Sequence, residues 1–221
     1  MKTSELAALI KSRRSIRNWQ DKPVPEQVLL DAIELGTWAP NGGNQQNWRF
    51  YVITNRDTIK SIADASEEGM KYMSSWSEMA QAAPPAPPPG SSPPAPRMPL
   101  SAAPAMIAIG TNRTTNPRNE AIAKRAPTDP RAAEMLEWNT TIDSRIQSVS
   151  AAISYLLLAL HQMGLGAVWM TGPLPQCKGE IEKILKVPEN MDIVALIPVG
   201  YPAESPTRDR KPVSEVCEII R

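Results

Sequence analysis

Residues 151–173 read AAISYLLLALHQMGLGAVWMTGP, and the fold is decided there. The stretch closes a helical pattern that begins near Ala132 and runs to Met163, where Gly164 stops it. Its second half is apolar nearly all round, which predicts a helix buried in a core. Ala167–Met170 then reads as a short strand ending in Thr171-Gly172-Pro173. A dinucleotide-binding unit needs strand, glycine turn and helix in that order. Here Gly164 and Gly166 follow a helix, so they are not that fingerprint.

Upstream, Leu6, Leu9 and Ile10 recur at helical spacing behind Thr3 and Ser4, giving a first helix that ends near Ser12. Pro25 suits the first turn of a second helix with Val28, Leu29, Ala32, Ile33 and Leu35 as its apolar face. Arg49–Thr54 has the aromatic and β-branched content of a strand, and Asn55 caps a third helix running to about Ala65. Ala105–Ile109 reads as a buried strand. Downstream, Gln176–Leu185 reads as a helix and Asp192–Val199 as another strand, followed by an apolar tail with Val213, Val216, Ile219 and Ile220. Helices alternate with single strands, the strands are few and the connections long. That pattern predicts a compact α+β sandwich rather than a doubly wound sheet.

The chain has 221 residues, 23 of them proline, and nine of those fall between Pro84 and Pro99. The reading is one domain over residues 1–221 with a proline-rich insertion at about 83–100, stiff and poor in donors. Twenty-four basic residues against 23 acidic ones give a net charge of +1, so no global field recruits nucleic acid or membrane. One histidine and two distant cysteines supply no conventional zinc site, and Cys177 and Cys217 read as structural thiols of a reducing compartment. The N-terminus is too polar for a signal peptide, and Ile153–Leu160 is far shorter than a membrane span. A soluble, cytoplasmic protein is expected.

Four groups of residues carry possible chemistry. In Arg13-Arg14-Ser15-Ile16-Arg17, an extended backbone would put Arg13, Ser15 and Arg17 on one face, two guanidinium forks and a hydroxyl toward one anion. A solvated basic turn is the plain alternative. In Ala39–Trp48, the glycines of Pro40-Asn41-Gly42-Gly43-Asn44 let amides approach a planar ligand; otherwise the segment is a helix-to-strand turn anchored by Trp48. Thr171-Gly172-Pro173 can aim backbone N–H groups at a ligand edge. Arg208-Asp209-Arg210-Lys211 is a second basic cluster, or a solvated loop. His161 lies on the long helix with no partner motif and reads as structural.

In order, these groups resemble the FMN-dependent nitroreductase superfamily: RRSIRNW with PVPEQVLLDAIELGTWAP, then NGGNQQNWRFYVI, GLGAVWMTGP, and PVGYP with RDRKPV. The resemblance covers about residues 5–80 and 100–221. It implies a three-layer sandwich, a mostly antiparallel central sheet flanked by helices, and a homodimer exchanging C-terminal tails. It also implies FMN as cofactor, NADH or NADPH as electron donor, and a small-molecule acceptor such as a nitroaromatic or quinone. The exchange would be two-step: the nicotinamide gives hydride to the flavin and leaves, and the acceptor then takes its place, with no catalytic side chain. By the same resemblance, Arg13 and Ser15 hold the phosphate and ribityl chain, Arg17 lies near the pyrimidine end of the ring, and Arg208 and Arg210 close around the phosphate. Thr171 and Gly172 meet the ring near N5, while Pro40, Asn41, Gly42 and Asn44 reach it from the other subunit. The loop departs from the family pattern at Asn41 and Asn47, where many relatives carry Ser and Pro. No flavin contact aligns in the proline tract, where Arg97 is a candidate.

Two further readings remain. One is a related flavin enzyme that dehalogenates or fragments flavin. Glu68 and Tyr72 match the spacing of an acidic–tyrosine pair in dehalogenating relatives, but no lysine matches, so helix-surface residues are the plain alternative. The other is a flavoprotein whose proline tract is a polyproline II ligand for a protein partner. The tract could also cover the substrate mouth.

Overall fold

The computed structural model describes residues 3–81, 99–113 and 117–221. The proline tract, Arg97 included and Pro99 excepted, lies outside the described residues, as do the proposals that it covers the substrate mouth or binds a protein partner. Helices α1 (Thr3–Ser12) and α2 (Glu26–Thr37) precede strand β1 (Trp48–Ile53) and helices α3 (Arg56–Ser74) and α4 (Ser77–Gln81). Strand β2 (Ala105–Asn112) leads to α5 (Pro117–Arg125), α6 (Pro130–Thr141) and α7 (Ser144–Gln162). The chain ends through β3 (Gly166–Ala167), α8 (Leu174–Ile184) and β4 (Met191–Gly200).

The sheet order is β1-β2-β4-β3, and every neighbouring pair is antiparallel. Because strand side chains alternate, β2 serves two cores at once. Ile107 and Ile109 meet Leu29 and Ala32 of α2 and Ile153, Leu156 and Leu160 of α7 on one face. Met106 and Ala108 meet Ile59 and Ile62 of α3 and Cys177 and Ile181 of α8 on the other. A strand covered on both faces needs an unbroken apolar run, which is why Ala105–Ile109 shows no alternation. The result is the expected three-layer α+β sandwich. Opposite β2, a register shift between Ile109 and Gly110 leaves Val194 of β4 extra, so Ile193 and Ala195 join different cores.

Several boundaries differ from the sequence reading. The long pattern from Ala132 is two helices: α6 stops at Ile142, and Asp143 caps α7 by accepting from Arg145 N (2.9 Å) and Ile146 N (3.4 Å). An apolar period continues across such a break, so periodicity alone hides it; the cap residue is the signal. Helix α3 runs on to Ser74, nine residues past the expected end at Ala65, because Gly69 lets α8 approach, where a Cβ would lie 2.7 Å from Gln176 Cβ. Leu35 is exposed and Gly36 is the buried residue of its turn, against Ala152 and Leu156 of α7. Helix α7 is buried on one side only, with Tyr155 exposed. The strand expected over Ala167–Met170 is β3 plus a separate bridge from Met170 to Leu196. Among the described residues, no helix is long and apolar enough to cross a membrane.

Leu156 and Ile62 are fully buried in opposite layers. Leu156→Ala and Ile62→Ala are each expected to cost about 2–5 kcal/mol of stability in urea unfolding. Asp143→Ala, which removes only the cap, should cost about 1 kcal/mol.

Candidate functional site

The site begins where α1 ends. Arg13 N donates to Leu9 O as the last helical bond, and the chain then extends: Ser15 bridges Ala167 in parallel, and Ile16 N donates to Ala167 O (3.0 Å). Ile16 and Trp19 turn inward, and Trp19 Nε1 donates to Gly166 O (2.9 Å). Alternation about the buried Ile16 sends its neighbours Ser15 and Arg17 to the other side, as expected of an extended segment, and Arg13 joins them from the end of α1.

There they line a cleft of about 250 Å³ with Arg14, Pro206, Arg208 and Arg210. Five guanidinium groups and a hydroxyl face it, and among the described residues no carboxylate lines it. Burial, then the charges of Arg210 and Arg14, lower the Arg13 pKa from its ordinary value, the mark of cations gathered close together. Arg14 was not among the expected site residues, since alternation places it on the opposite face. It reaches the cleft because its Nη1 hooks onto the carbonyls of Lys11 and Arg13, and its Nε is buried with no hydrogen-bond partner. The Arg13-Arg14 doublet was the available signal.

The other expected contacts lie elsewhere in this chain. Met170 exchanges two backbone bonds with Leu196, and Thr171 and Gly172 follow as the entry to α8, with Leu174 N donating to Thr171 O. Thr171 lines a separate cleft of about 410 Å³ with Thr111, Arg145, Lys178 and Asp192. Gly172 faces open space, so its backbone is approachable.

The Pro40–Asn44 loop is built around a short 3₁₀ turn at Gly42–Asn44, where Gly43 (φ 60°) and Asn44 (φ 52°) are left-handed. Asn41 braces it from within, donating to Ala39 O (3.3 Å) and accepting from Gln46 N (3.0 Å). Gly42 N donates to Ser148 Oγ (3.3 Å) in the first turns of α7. The arginine segment sits by the last turn of the same helix, where Ser12 Oγ and His161 Nε2 are 2.8 Å apart. Ser148 and His161 are thirteen residues apart in α7, a rise of about 20 Å. One chain thus presents two groups of expected site residues at opposite ends of one helix.

A wider cleft, about 1090 Å³, lies beside the loop; Gln45, Asn47, Asn112, Asn139 and Arg145 are among its lining residues. Asn47 is buried, and its carbonyl accepts from Asn112 N (3.2 Å). Among the described residues, no cluster of three or more His, Cys, Asp or Glu could hold a metal ion. Cys177 is buried against Ser66, its thiol pKa pushed up by burial, and Cys217 is exposed; neither is in a disulfide.

The fold is a three-layer sandwich with a guanidinium cleft beside its short edge strand. The family model described as "Nitroreductase family" matches residues 10–201. A protein of Methanothermobacter thermautotrophicus, provisionally named NADH dehydrogenase/NAD(P)H nitroreductase, is 29% identical over 90% of this chain and 79% of its own. The crystal structure of a BluB-like flavoprotein from Clostridium difficile matches the whole of both chains with a TM-score of 0.77 at 23% identity. An iodotyrosine deiodinase bound to FMN and 3-iodo-L-tyrosine matches 98% of this chain and 97% of its own, with a TM-score of 0.65 at 22% identity. The chain belongs to the nitroreductase family and is an oxidoreductase of that class.

Burial, then Arg13 and Arg14, hold the His161 imidazole below its ordinary pKa. The unfolded chain therefore binds that proton at higher pH than the folded one, and stability falls as pH drops through the ordinary histidine range. Urea midpoints should decline from about pH 7.5 to 5.5, and His161→Gln should flatten that decline.

Proposed function

We propose that the chain is an FMN-dependent oxidoreductase that uses NADH or NADPH to reduce nitroaromatic, quinone or similar acceptors, and that it works as a homodimer. The observation that carries this reading is the cleft of five arginines and Ser15 with no carboxylate in its lining. The residues fit the cofactor's anionic end: the buried, unpartnered Arg14 Nε and the crowded Arg13 both gain from an anion between them. Bound FMN would accept hydride from the nicotinamide and pass it to the acceptor.

The chain's own residues then have distinct tasks. Arg13, Arg14, Ser15, Arg208 and Arg210 hold the phosphate and ribityl chain, and guanidinium forks suit phosphate oxygens better than point charges do. Arg17, two residues beyond Ser15, offers positive charge to the pyrimidine end of the ring. Thr171 and Gly172 present backbone N–H groups, with no side chain at Gly172 to hinder approach. His161 faces Ser12, and solvent can deliver the protons.

Pro40, Asn41, Gly42 and Asn44 belong to the partner's site in this reading. Their place about 20 Å along α7 from the arginine segment favours a second copy turned to bring its loop alongside. Among the described residues, nothing pairs with the outer edge of β1. Val213, Val216, Ile219 and Ile220 are 67–95% exposed, and a partner would cover them. Tail exchange across the dimer accounts for both features.

A second reading, dehalogenation with the same cofactor, is favoured by Glu68 and Tyr72, which share the exposed side of α3 one turn apart. Iodide release from 3-iodotyrosine would select it, and its absence would leave reduction.

The purified protein should be yellow and should oxidise NADH or NADPH when a nitroaromatic or quinone is added. A protein that cannot be reconstituted with FMN sinks the proposal. Arg13→Ala and a loop variant such as Gly42→Val should each lose most activity. Mixing the two unfolded chains and refolding should restore about a quarter of the wild-type sites if each site draws on both subunits, and none if each chain builds its own.

A further inference from the structure

We propose that Glu204 is a positioning residue that joins the two halves of the arginine cleft; the proposal rests on reading that cleft as the FMN phosphate site. One half, Arg13–Arg17, is anchored on β3. The other, Pro206, Arg208 and Arg210, comes almost two hundred residues later in the chain. Between them runs a short ladder: Gln20 N donates to Tyr201 O (2.9 Å), Ala203 N to Asn18 O (3.0 Å) and Gln20 Nε2 to Pro202 O (3.0 Å).

Glu204 is its last rung. Oε1 accepts from the backbone N–H of Arg17 and, at 3.1 Å, from that of Asn18, while Oε2 accepts from Asn18 Nδ2 at 3.1 Å. Among the described residues, no hydrogen bond ties 205–211 to another part of the chain. The loop that carries Arg208 and Arg210 therefore leaves the body at Glu204, and that carboxylate sets where it starts relative to Arg17.

The effect is geometric, because the charge acts the other way. A carboxylate beside a phosphate site repels the phosphate, so any gain from Glu204 must come through its bonds to Arg17 and Asn18. Without them the distal arginines are free to leave, and each phosphate contact must re-order the loop at an entropic cost. Positioning and field thus predict opposite signs for the same substitution.

The test measures FMN and riboflavin affinity by flavin fluorescence in refolded apoprotein of wild type, Glu204→Ala, Glu204→Gln and Glu204→Asp. The Ala variant should bind FMN at least about tenfold more weakly, with riboflavin affinity within about twofold of wild type, since riboflavin lacks the phosphate. Gln keeps an acceptor for both backbone N–H groups without the charge, and should return FMN affinity to within about threefold of wild type. Asp keeps the charge on a shorter stem that cannot span the same donors, and should bind FMN more weakly than Gln. The proposal is overturned if Ala binds FMN as tightly as wild type or more tightly, if riboflavin weakens in parallel, or if Gln is no better than Asp. Should Ala fail to fold, the order of Gln and Asp decides alone. Wild-type protein that binds riboflavin but gains nothing from the phosphate overturns the reading of the cleft itself, an outcome distinct from any difference among the variants.

Discussion

The arrangement turns on a contact that requires one missing side chain. A Cβ at Gly166 would lie 2.7 Å from Ile16 Cγ1, closer than any real contact, so only glycine lets the segment after α1 reach the edge strand. Ile16 fills that space, Trp19 donates to the Gly166 carbonyl, and Ser15 pairs with Ala167. Once Ile16 is held inward, alternation turns its neighbours Ser15 and Arg17 outward. The cleft's positive charge follows from apolar packing on the far side of the same backbone.

That contact also settles how the charge is kept in place. Guanidinium groups brought together repel one another, and the Arg13 pKa is lowered by burial and then by Arg210 and Arg14. The folded chain offsets the repulsion by anchoring backbone rather than by pairing side chains: through the β3 bridge on one half and the Tyr201–Glu204 ladder on the other. A cleft of this kind would gain stability from binding an anion.

Much of this was legible beforehand, and for identifiable reasons. Ala105–Ile109 announced a strand covered on both faces because both faces must be apolar. Asn55 announced the start of α3 because its side chain accepts from Thr58 N. The end of α3 was not legible, since Met70 and Tyr72 of its last turns are exposed and those turns are held by the fit of Gly69 to Gln176 of a distant helix. The α6–α7 break was legible only through Asp143, whose capping role an uninterrupted apolar period concealed. Leu35 read as a core residue by spacing, yet the close approach of α7 falls on Gly36, and the leucine is left at the surface.

Local chemistry in the sequence by itself determined the element types, the double burial of the central strand and the residue types able to hold an anion. Family membership was also legible, because the motifs keep a shared order along the chain. Which basic groups meet was decided only by tertiary structure. Arg14 joins Arg13 against the alternation, Arg208 and Arg210 join them across the length of the chain, and Pro40–Asn44 stands apart at the other end of α7. The reason is physical: hydrogen-bond propensity and apolar period act over a few residues. The distances between charges are set by packing between segments far apart in sequence, here Ile16 on Gly166 and Glu204 on Asn18.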